Sequence, residues 1–175
     1  MNLDYMSNGR GLSRKVIEAF MNGFNSKIHK DMYWSEPYYH SDSFEIYCDD
    51  LNAYDVALLG ATTGSDYLDE KIADIVESEE SYLINLYKDD NGNYDEELVD
   101  NGLLDNIGRV KFRVIIQPTD TDEVWIYLEV RYGDNVSDDL YAEDFYLRDV
   151  DSIETAGSDI ADNMNWIYKQ YNQWG

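Results

Sequence analysis

Polar and apolar positions divide the 175-residue chain into segments of different period. Leu12, Val16, Ile17, Phe20, Met21 and Phe24 recur every three to four residues and predict a short amphipathic helix, with Ser13 as its candidate N-cap and Gly23 near its end. An aromatic-rich connection follows, from Tyr33 and Trp34 to Tyr38 and Tyr39. Phe44–Cys48 reads as a strand, and Tyr54–Leu59 is an apolar run that fits either helix or strand. Leu68, Ile72, Ile75, Val76, Leu83 and Leu86 mark a helix from about Ser65 to Tyr87, with Glu79 falling near its apolar side. Asn91-Gly92 signals a turn, and Leu98, Val99, Leu103 and Leu104 predict a second helix over Asp95–Asp105.

The strongest pattern is strict alternation. Val110, Phe112, Val114 and Ile116 alternate with polar residues, as do Val124, Ile126, Leu128 and Val130, around a polar loop at Pro118–Asp122. That is a β-hairpin. Tyr141–Leu147 offers a further strand, and Ile153, Ala156, Ile160, Met164, Ile167 and Tyr171 predict a C-terminal helix. The predicted fold class is α+β: a small antiparallel sheet with a central hairpin, covered by helices, plus the N-terminal amphipathic helix.

Charge changes this picture. The chain holds 37 acidic and 13 basic residues, a formal charge of −24. Residues 1–34 hold five basic side chains (Arg10, Arg14, Lys15, Lys27, Lys30) and three acidic ones, a balance of +2, whereas residues 35–175 carry 8 basic and 34 acidic, a balance of −26. Residues 1–34 are therefore read as a basic helical segment and 35–175 as an acidic α+β domain. Three windows, 64–80, 89–105 and 134–151, each hold seven acidic residues against one, zero and one basic. Duplex DNA carries one charge per ~1.7 Å of axis, so 24 charges equal ~41 Å of duplex, about the diameter expected for this chain. Such a balance opposes binding by phosphate neutralisation and docking on an anionic membrane; direct contact with nucleic acid is expected only through residues 10–30. With 43% hydrophobic and 14% aromatic residues, the chain is nonetheless a folding sequence. The single Cys48, the absence of an apolar signal core and the lack of an 18-residue apolar window predict a cytoplasmic protein.

Catalytic chemistry finds little footing. Cys48 sits inside a strand pattern, where an inert thiol is expected, and His29 and His40 lie in aromatic, polar surroundings without a nucleophile beside them. Together these are too few soft ligands for structural zinc. Gly9-Arg-Gly11 and Gly60–Gly64 lack the remainder of a nucleotide-binding fingerprint. The run Lys88–Glu97 resembles an EF-hand loop. Placing Gly92 at the sixth position, however, puts Tyr87 first and Leu98 twelfth, and neither donates a carboxylate. Asp120, Asp122 and Glu123 read as a polar loop before they read as a metal site. A non-enzymatic protein without metal or cofactor is the expectation.

The carboxylate pattern carries more. Asp66, Glu70 and Asp74 follow at i, i+4 spacing and Glu77 extends the row by i+3, with Lys71 alone interrupting it. Each i+4 step rises ~6 Å, giving a line of like charge on one helix face. Asp134, Asp138, Asp139, Glu143 and Asp144, with Tyr141 among them, form the other candidate partner-binding group. Of the sixteen tyrosines, Tyr47 and Tyr82 are expected in the core, and Tyr33, Trp34, Tyr38, Tyr39, Tyr141 and Tyr146 as interface anchors.

The opening Leu12-Ser-Arg-Lys-Val-Ile-Glu-Ala-Phe-Met-Asn-Gly23, about a dozen residues, together with size and composition, resembles small proteins of Gram-positive phages and mobile genetic elements, among them type II anti-CRISPR proteins. Antirestriction DNA mimics are similar in charge, but their sequence motifs are absent. The resemblance implies Cas9, or its guide-RNA complex, as partner. The residues themselves point to an inhibitor occupying a basic nucleic-acid cleft of a defence nuclease by phosphate mimicry. An immunity protein or antitoxin that neutralises a cationic toxin is the alternative with the same surface.

Overall fold

A computed structural model describes residues 14–40 and 43–172. The predicted Ser13 cap, Leu12 and Arg10 lie outside the described residues. Five helices and six strands run in the order α1 (Arg14–Lys27), β1 (Tyr38–Tyr39), β2 (Phe44–Asn52), α2 (Ala53–Leu59), α3 (Asp66–Leu86), α4 (Glu96–Ile107), β3 (Arg109–Asp120), β4 (Glu123–Tyr132), β5 (Asn135–Val136), β6 (Tyr141–Tyr146) and α5 (Val150–Asn172). The α+β class and the central hairpin are as the alternation predicts.

All pairings are antiparallel, in the order β1-β2-β3-β4, with β5 and β6 sharing the far edge of β4. In β3 and β4 the apolar alternation places Val110, Phe112, Val114 and Ile116 on one face, where Phe112, Val114 and Ile116 stand opposite Val130, Leu128 and Ile126, and Pro118 stands opposite Val124. That face, with Phe44, Ile46 and Cys48 from β2, joins the buried residues of the helices in one hydrophobic core. The hairpin closes more tightly than the sequence suggests: Asp120 pairs with Glu123, leaving Thr121-Asp122 as the turn, and Pro118 stays inside β3 beside an irregularity. Proline is tolerated there because β2 ends its pairing with β3 at Ile116. A one-residue register shift between Cys48 and Leu51 turns both toward the core, so β2 runs beyond the predicted strand.

The ambiguous Tyr54–Leu59 run is helical. Asn52 caps α2 by accepting the Tyr54 N–H at 2.8 Å, and Gly60 ends it at φ 73°, a left-handed conformation that suits glycine. α1 joins the same core through Val16, Ile17, Phe20 and Phe24, lying against α5. The approach is close enough that a Cβ on Gly23 would overlap the Glu154 carbonyl oxygen, and one on Gly157 the Phe20 carbonyl oxygen. Asn165 ties the end of α1 to α5: its Nδ2 donates to the Lys27 carbonyl at 2.7 Å, and its Oδ1 accepts the His29 N–H at 2.8 Å.

The opposite face of the sheet carries Tyr47 and Glu45 of β2, Lys111, Arg113 and Ile115 of β3, and Trp125, Tyr127 and Glu129 of β4. None of these packs against the helix-covered core. Tyr47, expected in the core, is thus on the uncovered face. Tyr82, likewise expected there, is 61% exposed on α3, because the buried stripe of that helix runs through Leu68, Ile72, Val76 and Leu83. No helix among the described residues is long and apolar enough to cross a membrane.

Candidate functional site

Some of the acidic residues serve the fold, and separating them from the rest defines the site. Asp69 faces the loop before α3: its carboxylate accepts the Thr62 hydroxyl at 2.8 Å, and the N–H and hydroxyl of the buried Thr63 at 2.9 and 2.7 Å. Ser65 caps the same helix by accepting the Leu68 N–H at 3.3 Å. Asp89 accepts the N–H groups of Asn91 and Asn93, both at 2.9 Å, around Gly92 at φ 86°, and Asp95 caps α4. A carboxylate engaged in this way builds a turn, which is why the loop only resembles an EF-hand. Among the described residues no group of three or more His, Cys, Asp or Glu side chains is placed to hold a metal ion.

The α3 row is different. Asp66, Glu70, Asp74 and Glu77 are all exposed, and none makes a side-chain hydrogen bond or ion pair among the described residues. The buried stripe turns inward and fixes the row outward. Lys71 forms no ion pair with it among the described residues; its Nζ sits 5.7 Å from the centroid of the Tyr67 ring.

The second group divides. Gly133, at φ 57°, and Asp134 form a two-residue turn between β4 and β5, which leaves Asp134 exposed. The register on β4 then moves by two residues between Val136 and Tyr141, so Asp138 and Asp139 bulge from the edge. Ser137 and Leu140 anchor the bulge by donating to the carbonyls of Val130 and Leu128. Burial first, then the nearby charges of Glu129 and Asp138, raise the Asp139 carboxyl above its ordinary pKa. Strand alternation sends Glu143 and Asp144 to opposite faces, paired with Ile126 and Trp125 respectively. They do not share a surface.

Tyr141 is half-buried. Its hydroxyl donates to Glu143 Oε2 at 3.0 Å, and burial followed by that carboxylate pushes the phenol well above its ordinary pKa. It serves as a wall, whereas an exposed anchor was expected. The wall belongs to a groove between β6 and α5, lined by Tyr141, Glu143, Phe145, Asp151, Thr155 and Asp159. Asp151 and Asp159 stand on one side of α5 and were not singled out from sequence, although their i, i+8 spacing was legible there. The start of α3 lies close by: a Cβ on Gly64 would touch Leu140, the residue that closes the bulge.

The aromatic residues sort in the same way. Tyr33, Tyr38 and Tyr146 are 70%, 50% and 47% exposed, as interface anchors require. Trp34 instead packs edge-on against Phe24, and Tyr39 against Phe44. No protein-family model matches the chain, and neither a curated protein nor a solved structure does.

The surface so built offers long-range negative potential, a row of exposed carboxylates on α3, and, between β6 and α5, an acidic groove with an aromatic wall. Electrostatically, such a surface attracts cations.

Proposed function

We propose that the chain is a non-enzymatic inhibitor that fills a basic nucleic-acid cleft of a bacterial defence nuclease, of the Cas9 kind, in place of the phosphate backbone. The setting is the cytoplasm of the host bacterium. The α3 row carries the reading. Four carboxylates without hydrogen-bond or ion-pair partners among the described residues repel one another along a single helix face, and a solvated helix ordinarily interleaves lysine or arginine to relieve that. From Asp66 to Glu77 the row spans ~16 Å, one charge per ~5 Å, within a factor of two of the ~3.4 Å charge spacing along one DNA strand.

Steering by opposite fields makes capture fast, and the exposed tyrosines supply short-range contacts. The groove between β6 and α5 supports a second reading of the same surface. Aromatic and carboxylate walls together suit a lysine or arginine side chain of a cationic toxin as well as they suit a nuclease cleft.

Affinity purification at low ionic strength, from a bacterium carrying restriction and CRISPR systems, tests the proposal. The expected result is a nucleic-acid-handling protein that duplex DNA displaces. Recovery of a partner indifferent to DNA moves the reading to the toxin, and recovery of no cationic partner sinks both.

A further inference from the structure

The uncovered face of the sheet has a composition unlike the rest of the molecule. Five aromatic side chains stand on it: Tyr38 stacks on Tyr47 with centroids 5.7 Å apart, Trp125 lies against Tyr127 at 4.5 Å, and Tyr146 flanks them on β6. Ile115 is only 7% exposed at its centre, although it lies outside the helix-covered core.

The cations of this acidic chain gather here too. Lys111 Nζ sits 4.1 Å over the Tyr47 ring and the Arg148 guanidinium 4.5 Å over Tyr146. Arg113 pairs through Nε and Nη2 with the Glu45 carboxylate at 2.8 and 2.9 Å, and through Nη1 with Glu129 at 2.8 Å. Arg131 adds a contact to Glu129 at 2.9 Å. Half of the 8 basic residues in positions 35–175 thus lie on this face, against five carboxylates: Glu45, Asp49, Glu123, Glu129 and Asp144. The face carries −1 and the remainder of that region −25, with Asp139 at the rim.

We propose that this face is the interface between two copies of the chain, packed sheet against sheet about a two-fold axis. A second copy repels the first over the acidic remainder of residues 35–175; this near-neutral face is where two such sheets can meet. Its charges are of both signs: Arg113 and Arg131 are already paired with Glu45 and Glu129, and Lys111 and Arg148, held over tyrosine rings, can meet Asp49, Glu123 and Asp144 of the second copy, so that a self-complementary match is available. Five strand positions at ~4.8 Å and some eight residues at ~3.4 Å give roughly 650 Å² per copy. Two copies then bury roughly 1,300 Å², within the range of specific interfaces. Sheets stacked ~10 Å apart interdigitate side chains of this size.

Sedimentation of the full chain over a range of concentrations tests this. The expected result is a monomer–dimer equilibrium that tightens as salt rises to ~0.5 M, because screening removes the repulsion between the acidic remainders. Capture of a cationic partner weakens under the same change, so failure of one reading is distinguishable from failure of the other. Trp125→Ala and, at the exposed periphery, Tyr146→Glu each act twice across the two-fold axis, and each is expected to weaken the dimer about 100-fold or more while circular dichroism stays unchanged. A chain that stays monomeric at high concentration and ~0.5 M salt overturns the proposal, whatever else binds the face. So does a dimer that both substitutions leave intact.

Discussion

Neutralising the outer row of α3 by Glu70→Gln, Asp74→Asn and Glu77→Gln is expected to stabilise the free protein while impairing its capture of a cationic partner. Asp66 is kept, because a carboxylate in the first helical turn benefits from the macrodipole. The change removes four like-charge contacts, 66–70, 70–74, 74–77 and 77–80, each costing ~0.3 kcal/mol, for a gross gain of about 1.2 kcal/mol. Loss of the i+3 attraction between Lys71 and Asp74 lowers the net to about 0.9 kcal/mol. In a domain of this size that is a rise in Tm of about 2 °C at low ionic strength, fading as salt screens the row. Scanning calorimetry at low and high salt reads it. The same variant should associate more slowly with its partner, with little change in dissociation, since exposed charges steer encounter. A fall in Tm, or a shift indifferent to salt, would mean that these carboxylates hold the fold together, and the case for a binding surface would collapse with it.

Three further outcomes follow from buried groups. The Arg113 guanidinium holds the Glu45 carboxyl below its ordinary pKa, so in the native protein this pair stabilises above the unfolded carboxylate pKa of ~4.3 and is lost as pH falls through the lower folded value. Arg113→Met reverses the sign. Glu45 and Glu129, about 10% exposed at their side chains, are left with only His40 and Arg131. The Glu45 pKa then rises, and stability falls as pH goes from 4.5 to 7, by about 3 kcal/mol in urea titrations at the upper end; an equal loss at both pH values refutes it. Gly157→Ala should destabilise by about 2 kcal/mol despite better helix propensity, because α1 must move off α5; a gain in Tm would show that the helices do not touch there. Burial pushes the Cys48 thiol up to about 12, so at pH 8 the folded protein should react with a thiol reagent about 1,000-fold more slowly than the unfolded chain, and rapid native labelling would contradict the core placement.

The periods of two and 3.6 made the hairpin, α3 and α5 legible, since each of these elements shows one face to a single core. Three features escaped. The Tyr54–Leu59 run is too short for its periodicity to decide, and only its Asn52 cap and left-handed Gly60 make it a helix. The helix contact at Gly23 and Gly157 joins residues distant in sequence, and no local pattern announces a backbone approach. The two-residue bulge at Asp138-Asp139 sits between strand fragments whose pairing partner lies on β4, so the acidic window looked continuous where the chain in fact divides it. For the same reason Glu143 and Asp144 looked like one site. The strand expected over Tyr141–Leu147 already parts them, because alternation sends neighbours to opposite faces.

That parting also explains why charge and aromatic content, which coincide in the composition, do not coincide on the molecule. The odd positions of β3 and β4 carry arginine, lysine, tryptophan and tyrosine side chains, whose charges are satisfied across strands. Among the described residues, the exposed carboxylates of Asp66, Glu70, Asp74, Glu77, Asp134 and Asp138, which have no hydrogen-bond or ion-pair partner, lie instead on α3 and on the β5–β6 edge. Carboxylates without partners act through a field that salt weakens. An aromatic face with paired charges acts through burial that salt does not weaken, and between two acidic copies even favours. A single experiment, measuring self-association and partner capture across one salt series, therefore separates the two surfaces by the sign of their response. Parallel responses would mean that the sheet face and the acidic surface form one continuous site.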